Sequence, residues 1–294
     1  MNKFFLCCLI LFITQSVNAK VEFIWSGIAG VYLTDGKNSV YIDPVFSRPN
    51  IPQILLGMDY DIDEKKVISE LDRLGINKID GIFIGHSHCD HALDMHVVQK
   101  HAGGIIHGTE TTINLAMAYN IPDANLKIME DAKEYKFGDF TVIPLKSQHG
   151  LILDLFEFQG GVIDKPLKRK PKLSDYQMGG SFGFYVSHPE GNYLVQQSSR
   201  TTENIANFLK DKKMKIIFQG IANRRNSQEL YEGIINHAES VEYIVPIHHD
   251  NFFFQRSEKK VDLLWGLDLE EFLEYSKTQK PKVFMPEYDT RYAL

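Results

Sequence analysis

Cysteine is scarce in this chain of 294 residues: there are three, and Cys7 and Cys8 fall within the first ten positions. That excludes a disulfide framework, which needs several paired thiols in a small fold. The sequence also lacks a basic excess, with 32 Lys and Arg against 38 Asp and Glu and a formal charge of -6. Nucleic acid is therefore not expected as a partner, since neutralising its phosphates takes a cationic face. No apolar run reaches the roughly 18 residues that a membrane-spanning helix requires. Glycine and proline, 21 and 11 in number, are scattered, and no rich stretch of either separates two domains.

What is present is a globular composition, 44% hydrophobic and 12% aromatic, behind a short leader. Lys3, the apolar run from Phe4 to Ile13 and the small residues of Val17-Asn18-Ala19 form the three parts of a secretory signal. Residues 1–19 are expected to be cleaved, which makes the protein secreted or periplasmic without stable membrane insertion. Residues 20–294 are then one domain with Cys89 as its single thiol, and the lost Lys3 leaves it slightly more acidic.

Apolar periodicity then alternates between two and 3.6 residues. Strands are expected at Val21 to Trp25, Gly30 to Leu33 and Ser39 to Ile42, the last two joined by a turn at Thr34-Asp35-Gly36-Lys37. A helix is expected from Asp63 to Leu74, a strand from Ile79 to Ile84, a helix from Thr111 to Tyr119 and a strand from Phe140 to Leu145. A polar loop at residues 163–178 precedes a strand pair, Ser181 to Val186 and Tyr193 to Gln197. Helix, strand, helix and strand follow at Thr202 to Lys210, Lys215 to Gln219, Ser227 to Ala238 and Val241 to Ile247. The tail reads as a helix near Leu269 to Tyr275 and a strand near Lys282 to Met285.

The chemistry concentrates in His86-Ser87-His88-Cys89-Asp90-His91, directly after a buried strand. Three imidazoles and a carboxylate in six positions suit zinc and similar divalent ions, and a strand end presents them rigidly to an open cleft. A histidine-rich surface loop with adventitious metal affinity is the plain alternative. Two further histidines at later strand ends, His149 and His248, argue against it.

With those positions in place, the sequence resembles the metallo-β-lactamase superfamily, whose signature is H-x-H-x-D-H with further ligands at later strand ends. The string Pro246-Ile247-His248-His249-Asp250 looks most like the branch of ascorbate-phosphate lactonases, and more loosely that of N-acylphosphatidylethanolamine phospholipases. The resemblance implies an αββα sandwich of two mixed sheets flanked by helices. It assigns His86, His88 and His149 to one metal and Asp90, His91 and His248 to a second. Zn2+ is the expected ion, one or two per chain, with Mn2+ or Fe2+ as alternatives. One position departs from the pattern: where the family usually carries a bridging aspartate, after Tyr193 to Gln197, this chain has Ser198-Ser199, a weaker bridge.

The implied activity is hydrolysis of a small ester, lactone or phosphoester by metal-activated water. Asp90 is the candidate proton carrier, and His249 and Asp250 are candidates for orienting a ligand or touching substrate. An iron-dependent, non-hydrolytic member of the fold and a degenerate metal-binding protein stay open, and a true β-lactamase ranks lower. Asp43 reads either as a hydrogen-bond partner of the metal loop or as a plain strand end. Cys89, His96, His101 and His107 read as structural. The basic cluster Lys165, Lys168, Arg169, Lys170 and Lys172 reads as a solvated loop, or as a lid hinged at Gly179-Gly180 that attracts an anionic small-molecule substrate. Phe252-Phe253-Phe254 is expected to pack in the core more readily than to line a pocket.

Overall fold

A computed structural model describes residues 20–151, 157–200, 202–256 and 261–294; the expected leader, with Cys7 and Cys8, lies outside them. Two seven-stranded sheets are stacked, each with helices on its outer side, which is the αββα sandwich. The first sheet contains β1 (Glu22–Gly27), β2 (Gly30–Thr34), β3 (Ser39–Ile42), β4 (Gly81–Phe83), β5 (Ile105–Gly108) and β6 (Leu126–Ile128) in spatial order. The second runs β7 (Tyr135–Phe137), β8 (Phe140–Ser147), β9 (Ser181–His188), β10 (Gly191–Gln196), β11 (Lys213–Gly220), β12 (Ser240–Ile247) and β13 (Lys282–Val283). The C-terminal β14 (Arg291–Tyr292) returns to the first sheet and pairs antiparallel with β1. Both sheets are mixed: β3 through β6 run parallel, as do β10 through β13, and the hairpins are antiparallel.

The period-two pattern explains how the layers form. Val31 and Leu33 of β2, Val40 and Ile42 of β3, Tyr193 and Val195 of β10, and Ile216 and Phe218 of β11 all point between the sheets. Their alternates point outward beneath helices: Tyr32 and Tyr41 on one side, Leu194 and Ile217 on the other. The first sheet is covered by α1 (Ile51–Leu55), α2 (Glu64–Arg73), α3 (Cys89–Ala92), α4 (Met95–Ala102) and α5 (Glu110–Met117). The second is covered by α6 (Glu203–Leu209), α7 (Ser227–Gly233) and α8 (Leu269–Ser276). In α2, the Asp63 side chain caps the start by accepting from the Lys66 amide at 3.1 Å, and Val67 and Leu71 face the core.

Two boundaries differ from the sequence expectation for identifiable reasons. The helix expected to run from Ser227 to Ala238 stops at Gly233, and residues Ile235–His237 continue as a 3-10 turn. Glycine weakens the helix there, and Ile234 and Ile235 are fully buried in the core that begins at that point. The strand expected from Ile79 to Ile84 pairs only over Gly81–Phe83, because its last residues leave the ladder to build the functional loop. Among the described residues, no helix is long and apolar enough to cross a membrane.

Candidate functional site

The site is assembled at one end of the sandwich, where β4, β8 and β12 each terminate in histidine-bearing loops. Asp43, just after β3, fixes the first of them. Its backbone sits in the left-handed region at φ +47°, its amide donates to the Phe83 carbonyl at 2.9 Å, and its carboxylate accepts from the Gly85 amide at 2.7 Å. The second carboxylate oxygen lies 2.7 Å from His91 Nδ1. His91 therefore donates through Nδ1 and presents Nε2 to the cavity, the first of the two readings of Asp43. At Gly85 the Gln197 amide packs against the backbone, and a Cβ there would fall 2.5 Å from Gln197 Nε2 and displace that side chain.

His88 ends the extended segment and its carbonyl accepts from the His91 and Ala92 amides at 3.0 and 2.9 Å, starting the short α3. That turn carries Asp90 and His91 to one side and buries Cys89, whose thiol burial pushes up in pKa, so it stays protonated. His149 follows β8 across from His86 and His88, with ring centroids 4.7 Å from each. His248 follows β12 in a left-handed conformation, φ +56°, held by its amide donating to Ile28 O at 2.7 Å.

All six expected donors are thus brought together, in two sets whose ligand atoms each lie within 4.8 Å of one another: His86, His88 and His149, then Asp90, His91 and His248. His86 Nε2 and His88 Nδ1 are 3.1 Å apart. His248 Nε2 is 3.2 Å from His91 Nε2 and 3.3 Å from Asp90 Oδ2. Ligands held about 2.1 Å from one tetrahedral ion stand roughly 3.4 Å apart, so these separations fit a small divalent cation. Protonation agrees. Burial, then the neighbouring imidazoles, lowers His86 well below the ordinary histidine value, and the same causes bring His149 down to about 3. His88 is also lowered, chiefly by burial. Burial favours the protonated form of Asp90, but His91 and His248 outweigh it and hold the carboxyl far below its usual range. His91 moves the other way, because Asp90 and Asp43 overcome the effect of burial and raise it. Three neutral imidazoles, and a carboxylate beside two more, form a donor set suited to zinc, iron(II) or manganese(II).

Of the two roles expected for His249 and Asp250, orienting a ligand or touching substrate, the structure excludes the second. Neither lines the cavity, and both are buried. The chain turns at His248, φ +56°, so strand alternation does not carry on through the three, and only His248 of them faces the donors. His249 stacks on Trp25 at 4.7 Å between ring centroids, and Tyr288 stacks on the same indole at 4.8 Å. Asp250 forms an ion pair with Arg48 at 2.7 Å and accepts from Tyr288 Oη at 2.8 Å and from the Ile28 amide at 2.8 Å. Ile28 is the residue whose carbonyl holds His248, so Asp250 positions a ligand without meeting substrate. Gly27, at φ +98°, allows this approach: a Cβ there would come 2.7 Å from Arg48 Nη2.

Above the donors lies a cavity of about 480 Å³. Its walls are mostly apolar and come from Ile51 and Leu55, Phe158, Phe252, Phe253 and Trp265, so Phe252 and Phe253 line the pocket instead of packing beneath it. Neither lysine nor arginine lines it among the described residues. The basic cluster stays outside the lining, with Arg169 paired to Asp175 at 2.6 Å and Lys172 to Asp59 at 3.5 Å. Gly179, proposed as a hinge, is packed against Thr111, with 2.4 Å between a would-be Cβ and Thr111 Cβ. Where the bridging aspartate was missed, Gln197, Ser198 and Ser199 face the cavity. The Ser198 carbonyl accepts from Gln219 Nε2 at 3.0 Å, while Gln197 Nε2 and Ser199 Oγ are buried without a hydrogen-bond partner among the described residues. Gln197 read in the sequence only as a strand end, and Trp265 carried no signal at all.

The other histidines are structural. His96 stacks on Tyr119 at 3.6 Å and His107 on Phe83 at 4.5 Å, and His101 lies 2.8 Å from Asp72. At the far end of β9, His188 meets Asp35 and Asp139. Its Nδ1 accepts from the Glu190 amide at 3.2 Å, which leaves the proton on Nε2, 3.6 Å from Asp35 and without a hydrogen-bond partner among the described residues; a ring nitrogen that carries its proton does not ligate.

No protein-family model and no curated protein matches the sequence. Solved structures do match in fold. The metallo-β-lactamase fold protein YhfI from Bacillus subtilis aligns with TM-score 0.56 at 11% identity, covering 92% of this chain and 99% of its own. An isothiocyanate hydrolase from Delia radicum gut bacteria aligns with TM-score 0.56 at 15% identity, covering 93% of this chain and 99% of that one. The diiron β-hydroxylase CmlA from Streptomyces venezuelae aligns with TM-score 0.57 at 12% identity over 94% of this chain but 54% of its own length. Likenesses at such identities are likenesses of fold, and by them this chain has the metallo-β-lactamase fold.

Proposed function

We propose that the protein is a metal-dependent hydrolase of small, uncharged, largely apolar esters or lactones, acting outside the cytoplasm after loss of residues 1–19. The observation that carries this reading is the pairing of two converging donor sets with an apolar cavity that has no lysine or arginine among its described lining residues. With neither lysine nor arginine on the described walls, only the ions themselves would pair with the charge of the phosphoester considered from sequence, and the apolar walls suit an uncharged acyl group better. His86, His88 and His149 would hold one ion, and Asp90, His91 and His248 a second. A divalent ion there supplies Lewis acidity, polarising the carbonyl oxygen under attack and easing deprotonation of water.

The chain's own groups do the rest. Asp43 fixes the His91 tautomer, leaving Nε2 as a lone-pair donor. Asp90 stays ionised, so one oxygen can ligate while the other accepts a proton from the attacking water and passes it to the leaving group. The Gln197 amide and the Ser199 hydroxyl are spare polar groups on the cavity wall, able to orient a carbonyl. Phe158, Phe252, Phe253 and Trp265 hold the acyl portion and exclude water from the donors.

The test is metal analysis of natively purified protein together with hydrolysis of p-nitrophenyl esters, lactones, phosphodiesters, β-lactams and isothiocyanates, with His88→Ala as control. Metal-dependent turnover of esters or lactones, lost in the variant, is the expected result. Metal-free protein, or activity indifferent to that substitution, overturns the reading. The absence of a bridging carboxylate at Ser198 favours a second reading, an iron-dependent non-hydrolytic enzyme; iron as the native metal with no hydrolysis of the panel would select it.

A further inference from the structure

Ten large apolar side chains are exposed among the described residues, and six of them cluster on two segments that wall the same cavity. Leu55, Leu56 and Met58 lie on α1 and its exit; Phe254, Leu263 and Trp265 lie on the segment after His248. The exposure is large, 67% for Leu55, 75% for Leu56 and 66% for Trp265. Leu55 and Trp265 belong both to the cavity wall and to this outer collar, and Phe254 meets Trp265 edge-on at 5.5 Å. The apolar lining therefore continues out of the cavity onto the surface. A contiguous exposed apolar patch of this kind marks a surface that something covers.

The basic loop says what. Residues 163–175 carry five Lys and Arg against two Asp in a chain of net charge -6. That loop is fastened directly to the collar: the Leu173 amide donates to Met58 O at 2.9 Å, the Ser174 hydroxyl to Gly57 O at 3.4 Å, and Lys172 reaches Asp59. Arg169 is held by Asp175. Lys165, Lys168 and Lys170 are exposed, and none of the ion pairs among the described residues involves them. Apolar side chains that include an exposed tryptophan, flanked by free ammonium groups, form the combination that seats a protein on an anionic bilayer: the former enter the headgroup boundary and the latter meet the lipid charge.

We infer that the face around the cavity mouth docks peripherally on an anionic lipid surface, with Leu55, Leu56, Phe254 and Trp265 as the inserted residues and Lys165, Lys168 and Lys170 as the electrostatic contact. Seated this way, the mouth opens against the bilayer, and an apolar substrate passes from lipid to cavity without crossing water. The binding is independent of turnover, so it stands or falls separately from the hydrolase reading.

The experiment is vesicle flotation of the purified protein at physiological salt, comparing phosphatidylcholine with an equimolar mixture of phosphatidylcholine and phosphatidylglycerol. Binding to the mixed vesicles and little to the neutral ones is expected. Lys165→Gln/Lys168→Gln/Lys170→Gln should weaken it about a hundredfold, each lysine near the surface being worth about a factor of five. Leu56→Ser/Phe254→Ser, at positions outside the cavity lining, should weaken it about tenfold or more. Near-ultraviolet circular dichroism and thermal midpoint, unchanged in both variants, establish that the fold is kept. Failure to float with anionic vesicles overturns the proposal, as does binding unaltered by both variants. It is equally overturned if the wild type proves to be a dimer that the Leu56→Ser/Phe254→Ser protein is not, without vesicle binding, since a second copy then covers the face.

Discussion

The two donor sets share one cavity floor but are held in different ways. His91 and His248 are tied to the scaffold through buried carboxylates. Asp43 grips His91 Nδ1 at 2.7 Å, and Asp250 grips the Ile28 amide, whose carbonyl in turn holds the His248 backbone at 2.7 Å. His149, in the other set, has no hydrogen-bond partner for its Nδ1 among the described residues, so no carboxylate among them holds that nitrogen. The all-imidazole set is instead kept neutral by burial and is ready to ligate without displacing protons. One set is positioned by charge and the other by desolvation, so damage to each should be visible in a different measurement.

The largest effect is expected from the set that relies on desolvation. Replacing a ligand there, His88→Ala, should lower kcat/KM for an ester substrate by about a thousandfold or more, with bound metal falling in parallel. Retained activity would mean that the all-imidazole set is not part of the chemistry. Next comes the anchor of the charged set. Asp250→Ala leaves Arg48, 2% exposed along its side chain, buried and unpaired, and should cost about 3–5 kcal/mol in urea unfolding. The double variant Arg48→Met/Asp250→Leu should recover most of that loss, which a direct role of Asp250 in ligation would not allow. Asp43→Asn keeps the shape but weakens the grip on His91. About 10- to 100-fold weaker metal affinity is expected in the charged set alone, read as a loss of the weaker step in a metal titration while the stronger step is unmoved.

The most gradual effect is in pH dependence, and it lies outside both sets. Burial lowers His107 to about 4, below the ordinary histidine value near 6.5. The native state then binds fewer protons than the unfolded chain between those two values. Its contribution is complete above about pH 6.5 and is lost as pH falls toward 4, at up to about 1.4 kcal/mol per pH unit. Unfolding of the metal-free protein should show a slope of this sign, to which the lowered His86, His88 and His149 also contribute, and His107→Phe should reduce it by one histidine's share. Asp250 works in the same direction at lower pH. Burial pushes its carboxyl up, but Arg48 and His249 hold it below the ordinary range, so its contribution is present above about pH 4 and lost beneath it.

The six donors were legible in the sequence because four of them fall within six consecutive positions and the other two sit at strand ends, where period-two patterning stops abruptly. The sheets were legible for the same reason: β2, β3, β10 and β11 alternate between two buried faces. β6, β7 and β14 have two or three residues each, too few to show a period. The support behind the ligands was legible only in part. Asp43 sits close to the hairpin that announces it, whereas Asp250 depends on Arg48, 202 positions away, and no local pattern carries such a contact. The cavity walls were hidden because Ile51, Phe158 and Trp265 arrive from short or irregular segments. The run Phe252-Phe253-Phe254 looked like core since three adjacent aromatics usually are; a loop that starts at the left-handed His248 turns two of them into the pocket instead.

The central claim is that the two donor sets bind divalent metal and that turnover depends on it. Stripping the purified protein of metal and titrating Zn2+ back while following hydrolysis of p-nitrophenyl hexanoate tests it most directly. The account predicts that activity vanishes on stripping, returns in proportion to bound zinc, and shows two resolvable binding steps of which Asp43→Asn weakens one. Undiminished hydrolysis by the stripped protein, or the absence of zinc binding, would contradict it.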